Sequence, residues 1–193
     1  MLHFNITSPL PGLAFGFCLV IINPGFSNVY VYGNPRALDP KRVDAMDDDA
    51  RVRLRAAMRE MHKRGIRTRV NSTFRSRTEQ QAIYWCAHSR RCRARRGVYG
   101  AKRPGTSMHE AGLAVDLGGM ATVRRRGLTP KGRQTVRIMR KHGFSWRYGL
   151  KDPAHFEVSP QRVGYRTEQA AIKAAQRRWI KRQNTRHQAR SRA

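Results

Sequence analysis

Apolar positions along this chain recur with two different periods, and the changes of period mark out its elements. Leu54, Met58 and Met61 fall at helical spacing behind the acidic cluster Asp47-Asp48-Asp49. Acidic residues suit the positive end of a helix dipole, and Lys63-Arg64 followed by Gly65 supplies the opposite end, so a helix is predicted from 47 to about 64. The methionine stripe on it reads as core packing. Ile66, Thr68 and Val70 then alternate, predicting a strand from Ile66 to Phe74. Ser76-Arg-Thr-Glu79 has capping-box spacing and opens a second helix to about Ala87.

Further on, Ala111 to Leu117 ends as a strand, with Leu113, Val115 and Leu117 on one face and Ala114 and Asp116 on the other. Thr129-Pro130 starts a helix that Gly143 closes. Two short strands follow, Phe144 to Trp146 and His155 to Val158, with His155 and Glu157 sharing a face of the second. Arg166 to Arg182 forms a final basic helix with a disordered tail beyond it. Val29 to Asp47 reads as loop, punctuated by Asn34-Pro35 and Asp39-Pro40. Short strands separated by helices and long loops, without a βαβ rhythm, give an α+β class.

Composition changes this picture in two ways. Forty Lys plus Arg against 12 Asp plus Glu give a net charge of +28 over 193 residues, a field that favours polyanions: nucleic acid, anionic lipid or an acidic wall polymer. Nucleic acid is disfavoured, because aromatics do not interleave with the arginines and no helix-turn-helix, RNP-like or zinc-finger spacing is present. The helix from Ala170 to Lys181, with Ile172, Trp179 and Ile180 among basic residues, reads instead as a surface-binding amphipathic helix for anionic wall polymers or lipopolysaccharide.

Three cysteines are too few for a disulfide scaffold; Cys86 and Cys92 either pair across a short Arg-rich loop or remain thiols. His88 between them matches no zinc motif. His62 and His142 end helices and read as structural, and Trp146 reads as lining the site or as core. Leu10 to Ile22 is apolar but interrupted by Pro11 and two glycines, with no Lys or Arg before Arg36. It reads as a degenerate export signal or a buried strand, and is too short to span a bilayer as a helix.

The chemistry is concentrated in two segments, Ser107-Met-His-Glu-Ala-Gly-Leu-Ala-Val-Asp116 and Asp152-Pro-Ala-His-Phe-Glu157. His109, Asp116 and His155 form a nitrogen, oxygen, nitrogen ligand set, and three protein ligands with a vacant position distinguish a catalytic zinc site from a structural one. The His-Glu-x-x-His protease motif is absent. Gly112 and Ala114 beside the ligands either leave room for substrate or are packing choices. Asp152, which Pro153 holds toward an extended conformation, is favoured as general base; Glu157 either competes for that role or orients His155 from behind. Arg75, just before the predicted N-cap Ser76, is placed to receive a carboxylate or a polarised carbonyl.

Ser72-Thr-Phe-Arg75-Ser-Arg-Thr-Glu-Gln80, Ser107-x-His109-x-x-Gly112-x-Ala114-x-Asp116 and Gly143-Phe-Ser-Trp146 with Asp152-x-x-His155-Phe-Glu157, in that order, resemble the zinc D-alanyl-D-alanine carboxypeptidase family. That family includes the vancomycin-resistance carboxypeptidases and phage L-alanyl-D-glutamate endopeptidases. The resemblance covers about residues 45 to 158. It implies a small antiparallel sheet flanked by helices, as in hedgehog signalling domains and D,D-peptidases. It implies one catalytic Zn2+ held by His109, Asp116 and His155, with Arg75, Ser107 and Gln80 on the substrate. Two departures stand out: Asp152 replaces the glutamate of many carboxypeptidase members, as in the endopeptidase branch, and Thr73-Phe74 replaces the usual Gly-Tyr.

The expected organisation is an extension over 1–44, a zinc peptidase domain over 45–160 and a basic helix and tail over 161–193. The expected protein is a monomeric peptidoglycan peptidase acting in the periplasm, at the wall or outside the cell. The competing expectation is a non-catalytic basic protein of the same fold that binds anionic polymer or nucleic acid.

Overall fold

The computed structural model describes residues 43–92, 100–120 and 127–191. The apolar run Leu10 to Ile22, the loop reading before residue 43 and most of the basic loop after Cys92 lie outside them. Among the described residues, the longer helices and the strands alternate as α1 (Asp48–Lys63), β1 (Val70–Ser72), α2 (Arg77–His88), β2 (Ala114–Leu117), α3 (Pro130–Lys141), β3 (His155–Glu157) and α4 (Glu168–Ser191). The strands form one antiparallel sheet in the order β1-β2-β3. This is the expected α+β arrangement, with a sheet smaller than the alternation suggested.

The helix ends follow the residues that announced them. Asp47 accepts from the Asp49 amide at the start of α1, and Gly65, at φ 69°, ends it in the left-handed region that glycine enters freely. Ser76 and Glu79 make the full reciprocal capping box on α2. Thr129 caps α3 through the Gly132 amide, with Pro130 in its first turn.

The strands are shorter than predicted. Ile66, Thr68 and Val70 are buried on one face between exposed Arg67 and Arg69, yet only Val70–Ser72 pairs with β2, through an irregular register. Ala111 and Gly112 belong to a turn, and Phe144–Trp146 contributes a single bridge, Ser145 to Glu157. Burial alternates from Ile66 to Val70 because one face lies on the core, but strand pairing needs a partner edge of matching length.

The C-terminal helix departs furthest from expectation. It continues past Arg182 to Ser191, because no glycine or proline follows Gly164 and Ala, Arg and Gln favour the helix. Its apolar side faces inward: Ala171, Ile172 and Ala175 are buried, and Trp179 packs on Phe74 with ring centres 5.2 Å apart. The residues assigned by sequence to surface binding are therefore largely committed to the core, with Ile180 left exposed. Cys86 and Cys92 form a disulfide at the end of α2, which resolves that open alternative, and His88 stacks on Tyr84 rather than joining a metal group. No helix among the described residues is long and apolar enough to cross a membrane.

Two contacts set how the elements meet. Gly112, at φ 70°, turns the chain hard against the start of α1; a Cβ there would lie 2.9 Å from the Asp47 nitrogen and the Met46 Cα. The small residues Gly112 and Ala114 are thus packing choices, not room left for substrate. Glu60 of α1 joins α1 to α3, taking hydrogen bonds from Lys141 (2.9 Å) and His142 (2.8 Å), with Arg64 at 2.6 Å. The helix-end histidine His142 is structural, as expected.

Gly112→Ala combines a strained φ with a backbone clash and should cost about 1–3 kcal/mol; an unchanged denaturation midpoint would contradict this packing. The bonds from Lys141 and His142 hold the Glu60 carboxyl down to about 2, so its stabilisation is complete above the ordinary 4.5 and is lost as pH falls through 2. The gap in urea midpoint between wild type and Glu60→Gln should therefore shrink steadily over that window. A gap that stays constant with pH would exclude the assignment.

Candidate metal centre

The central strand places Asp116 between its neighbours. Asp116 pairs across the ladder with His155 of β3 on one side and with Ser72 of β1 on the other. His109 arrives from the turn before β2, which Gly112 closes through its hydrogen bond to the His109 carbonyl (3.1 Å). His109 and His155 are both buried.

Hydrogen bonds fix which atom each group turns inward. His109 Nδ1 lies 2.7 Å from the Thr73 carbonyl, which can only accept, so Nδ1 carries the proton and Nε2 presents a lone pair. That lone pair faces Asp116 Oδ1 at 3.2 Å. His155 Nε2 lies 3.1 Å from Glu157 Oε2 and its Nδ1 lies 3.1 Å from the same Asp116 Oδ1. In a neutral imidazole that donates to Glu157, Nδ1 is a second inward lone pair. Donor atoms of His109, Asp116 and His155 fall within 4.8 Å of one another. Three lone pairs brought together in a buried place repel unless a cation or proton sits among them, so the donor set suits a metal ion.

The ionisation of these groups follows the same crowding. Burial, with the Arg75 charge next, pushes His109 below its ordinary value and favours the neutral imidazole. Burial opposes the charged form of His155 too, but hydrogen bonds and charge from Asp116 and Glu157 prevail and raise it to about 9 without a metal. Asp116 is also penalised by burial, yet His109, His155 and Arg75 hold it well below the carboxylate range. It is an anion in this setting.

Each sequence candidate has a definite place. Arg75 donates from Nη2 to the outer oxygen of Asp116 (2.8 Å) and from Nε to Ser72 Oγ (2.9 Å). Gln80 is 1% exposed and fully engaged: its carbonyl oxygen accepts from Arg75 Nη1 (3.4 Å) and its amide donates to the Lys102 carbonyl (2.7 Å). Ser107 is buried in the turn before His109. Glu157 is buried, with Arg147 Nη1 3.2 Å from its other oxygen. Asp152 is exposed, close enough to Arg75 for its charge to act on the guanidinium. The turn that carries Asp152 is held by Trp146, whose indole donates to the Pro153 carbonyl (3.1 Å) while the ring packs on the core.

Several partners had no counterpart in the sequence reading. The Thr73 carbonyl leaves no signature, because any residue supplies one. Glu110 is 0% exposed and accepts from the Gly105 amide (2.7 Å) and the Ser107 amide (3.4 Å); its other oxygen lies 2.9 Å from Arg77 Nε. Gln176 of α4 donates to the carbonyls of Arg75 (3.3 Å) and Glu110 (3.1 Å) and accepts from the Arg77 amide (3.1 Å). Tyr148 stands with its ring centre 5.3 Å from that of His155. An acid directly after a candidate ligand was the one signal available for any of these.

The family model for VanY, D-alanyl-D-alanine carboxypeptidase, matches residues 44–167, more than half of the chain. No curated protein matches by sequence. Among solved structures, the LdcB LD-carboxypeptidase is 19% identical with a TM-score of 0.43, the match covering 70% of this chain and 64% of that one. A mutant of the vancomycin resistance D,D-pentapeptidase VanY, from a VanB-type resistance cassette and in complex with Zn(II), is 22% identical with a TM-score of 0.43, covering 70% and 78%. VanYB in complex with D-alanine-D-alanine is 20% identical with a TM-score of 0.41, covering 70% and 77%. The match thus spans less than two thirds of the first of these structures.

Proposed function

The chain belongs to the VanY D-alanyl-D-alanine carboxypeptidase family of peptidoglycan peptidases, and on that premise we propose that it is a zinc-dependent hydrolase of peptidoglycan stem peptides. The observation that carries the reading is the convergence of three metal-ligating atoms, His109 Nε2, Asp116 Oδ1 and His155 Nδ1, within 4.8 Å of one another. A non-catalytic basic scaffold gives no reason to bury such a set, which is costly without a cation to bind.

His109, Asp116 and His155 would hold one zinc ion, which supplies Lewis acidity toward a water molecule and the scissile carbonyl. The remaining work falls to the side chains around it. Asp152, exposed beside Arg75, takes the proton of the attacking water and returns it to the leaving amine. Glu157 is already committed to His155 and Arg147, so it orients the imidazole and leaves proton transfer to Asp152. Arg75, anchored on Asp116 and Ser72, presents its charge to the substrate carbonyl as that oxygen becomes negative. Gln80 and Ser107 then support the substrate pocket from within.

The substrate lies outside the cytoplasm, so the protein acts after reaching the wall, where its charge of +28 draws it to anionic polymers. Both family bond types are compatible with Asp152, and mass spectrometry of digested muropeptides separates them. Loss of one terminal D-alanine marks a carboxypeptidase, and release of the stem after L-alanine marks an endopeptidase.

The purified protein should carry about one zinc per chain and lose hydrolysis on chelation. His109→Ala should lose both metal and activity, whereas Asp152→Asn should keep its metal while kcat falls by about 10²–10⁴-fold. Undiminished hydrolysis by His109→Ala, or muropeptides left unchanged by zinc-loaded wild type, would overturn the proposal.

A further inference from the structure

Two buried polar side chains each make one short hydrogen bond to the backbone of the same segment. Gln80 binds the Lys102 carbonyl at 2.7 Å, and Glu110 binds the Gly105 amide at 2.7 Å. Both are 1% exposed or less. Residues 100–107 are therefore a braced strap, and Gly105, at φ 88°, lets the strap turn against the Arg77 guanidinium.

The bracing holds the backbone at Lys102. Its ammonium lies 5.8 Å from the centre of the Tyr148 ring, and that ring centre is 5.3 Å from the imidazole of His155. Arg147 approaches the same ring at 6.0 Å, but its guanidinium is already paired with Glu157. Lys102 is exposed, and no ion pair to it occurs among the described residues. A cation over an aromatic ring that itself stands 5.3 Å from the His155 imidazole, with no acid paired to it among the described residues, is suited to a ligand carboxylate.

We propose that Lys102, seated over Tyr148, is a specificity-determining residue that recognises a free α-carboxylate on the leaving amino acid. The inference rests on the peptidase reading above and makes it more specific. In a D-alanyl-D-alanine carboxypeptidase the leaving D-alanine carries that carboxylate at the chain end. In an L-alanyl-D-glutamate endopeptidase the leaving D-glutamate is prolonged through its γ-carboxyl, so its α-carboxylate is again free. Both bonds therefore present an anion on the carbon next to the leaving nitrogen, and one lysine serves either. Amidation of that carboxylate would remove the partner of Lys102 while leaving the scissile bond intact.

The test uses zinc-loaded protein and two peptide pairs: D-alanyl-D-alanine with its C-terminal amide, and L-alanyl-D-glutamate with its α-amide, each N-acylated. Wild type should prefer the acid of whichever pair it cleaves by about tenfold or more in kcat/KM, the worth of a charge-assisted contact. Lys102→Ala should lose that preference through KM for the acid alone, with the amide unaffected, and Lys102→Arg should restore it. An acid preference that survives in Lys102→Ala, an equal fall on acid and amide, or a wild type indifferent to amidation would each overturn the inference. If wild type cleaves neither pair nor whole sacculi, the peptidase reading fails. Calorimetry still decides the inference then, because equal affinity of wild type for acid and amide, or equal affinity of wild type and Lys102→Ala for the acid, defeats it.

Discussion

The Asp116 carboxylate is the constraint around which this fold is arranged. It is an anion on the middle strand of the sheet, and it needs several partners at once. His109 and His155 face one oxygen and Arg75 holds the other. Those partners come from the turn before β2, from β3 and from the segment after β1, so the anion can be satisfied only when all three meet. Burial of such a group without partners is among the more expensive events in a protein interior. The sheet need be no wider than three short strands, because its task is to bring these side chains together, and the helices supply the rest of the core.

The chain's scarce acids show the same economy. Among a dozen Asp and Glu residues against forty Lys and Arg, several in the described segments take specific posts. Asp47 and Glu79 cap helices. Glu60 joins α1 to α3, and Glu110 braces the strap. Asp116 and Glu157 adjoin the imidazoles, and Asp152 lies near Arg75. In so basic a protein an acid finds a cation almost anywhere, so chance pairing explains little. Burial sets Asp47, Glu110 and Glu157 apart, and multiple donors set Glu60 and Asp116 apart, since exposed pairs contribute little to stability.

Helix boundaries were legible because caps are local chemistry: Asp47, Ser76 with Glu79, Thr129 and Gly65 each act within a few residues. The three converging side chains were legible because their types and spacing are specific to one kind of chemistry. Strand lengths were not, since pairing depends on a distant partner; Ile66 to Phe74 alternates correctly yet only its middle is paired. The contacts of His109 with Thr73 and of Gln176 with Arg75 were invisible, because a backbone carbonyl carries no residue identity. The destination of the apolar stripe on the basic helix was not legible for a related reason: such a stripe among charges looks the same whether it meets an external surface or Phe74 of its own chain.

Gln176 has a further consequence for the order in which the protein is assembled. Its amide reaches back 101 residues to the Arg75 carbonyl and 66 residues to the Glu110 carbonyl. Both spans exceed the 39 to 47 residues that separate the paired residues of the sheet, so their loop-closure cost is higher and they form after the strands have met. The segment that carries Arg75 and the turn that carries His109 are therefore pinned late, by a helix that touches neither imidazole. A nascent or partly unfolded chain would hold its sheet before the segments around Asp116 were pinned, and their final geometry would be the last feature it acquires.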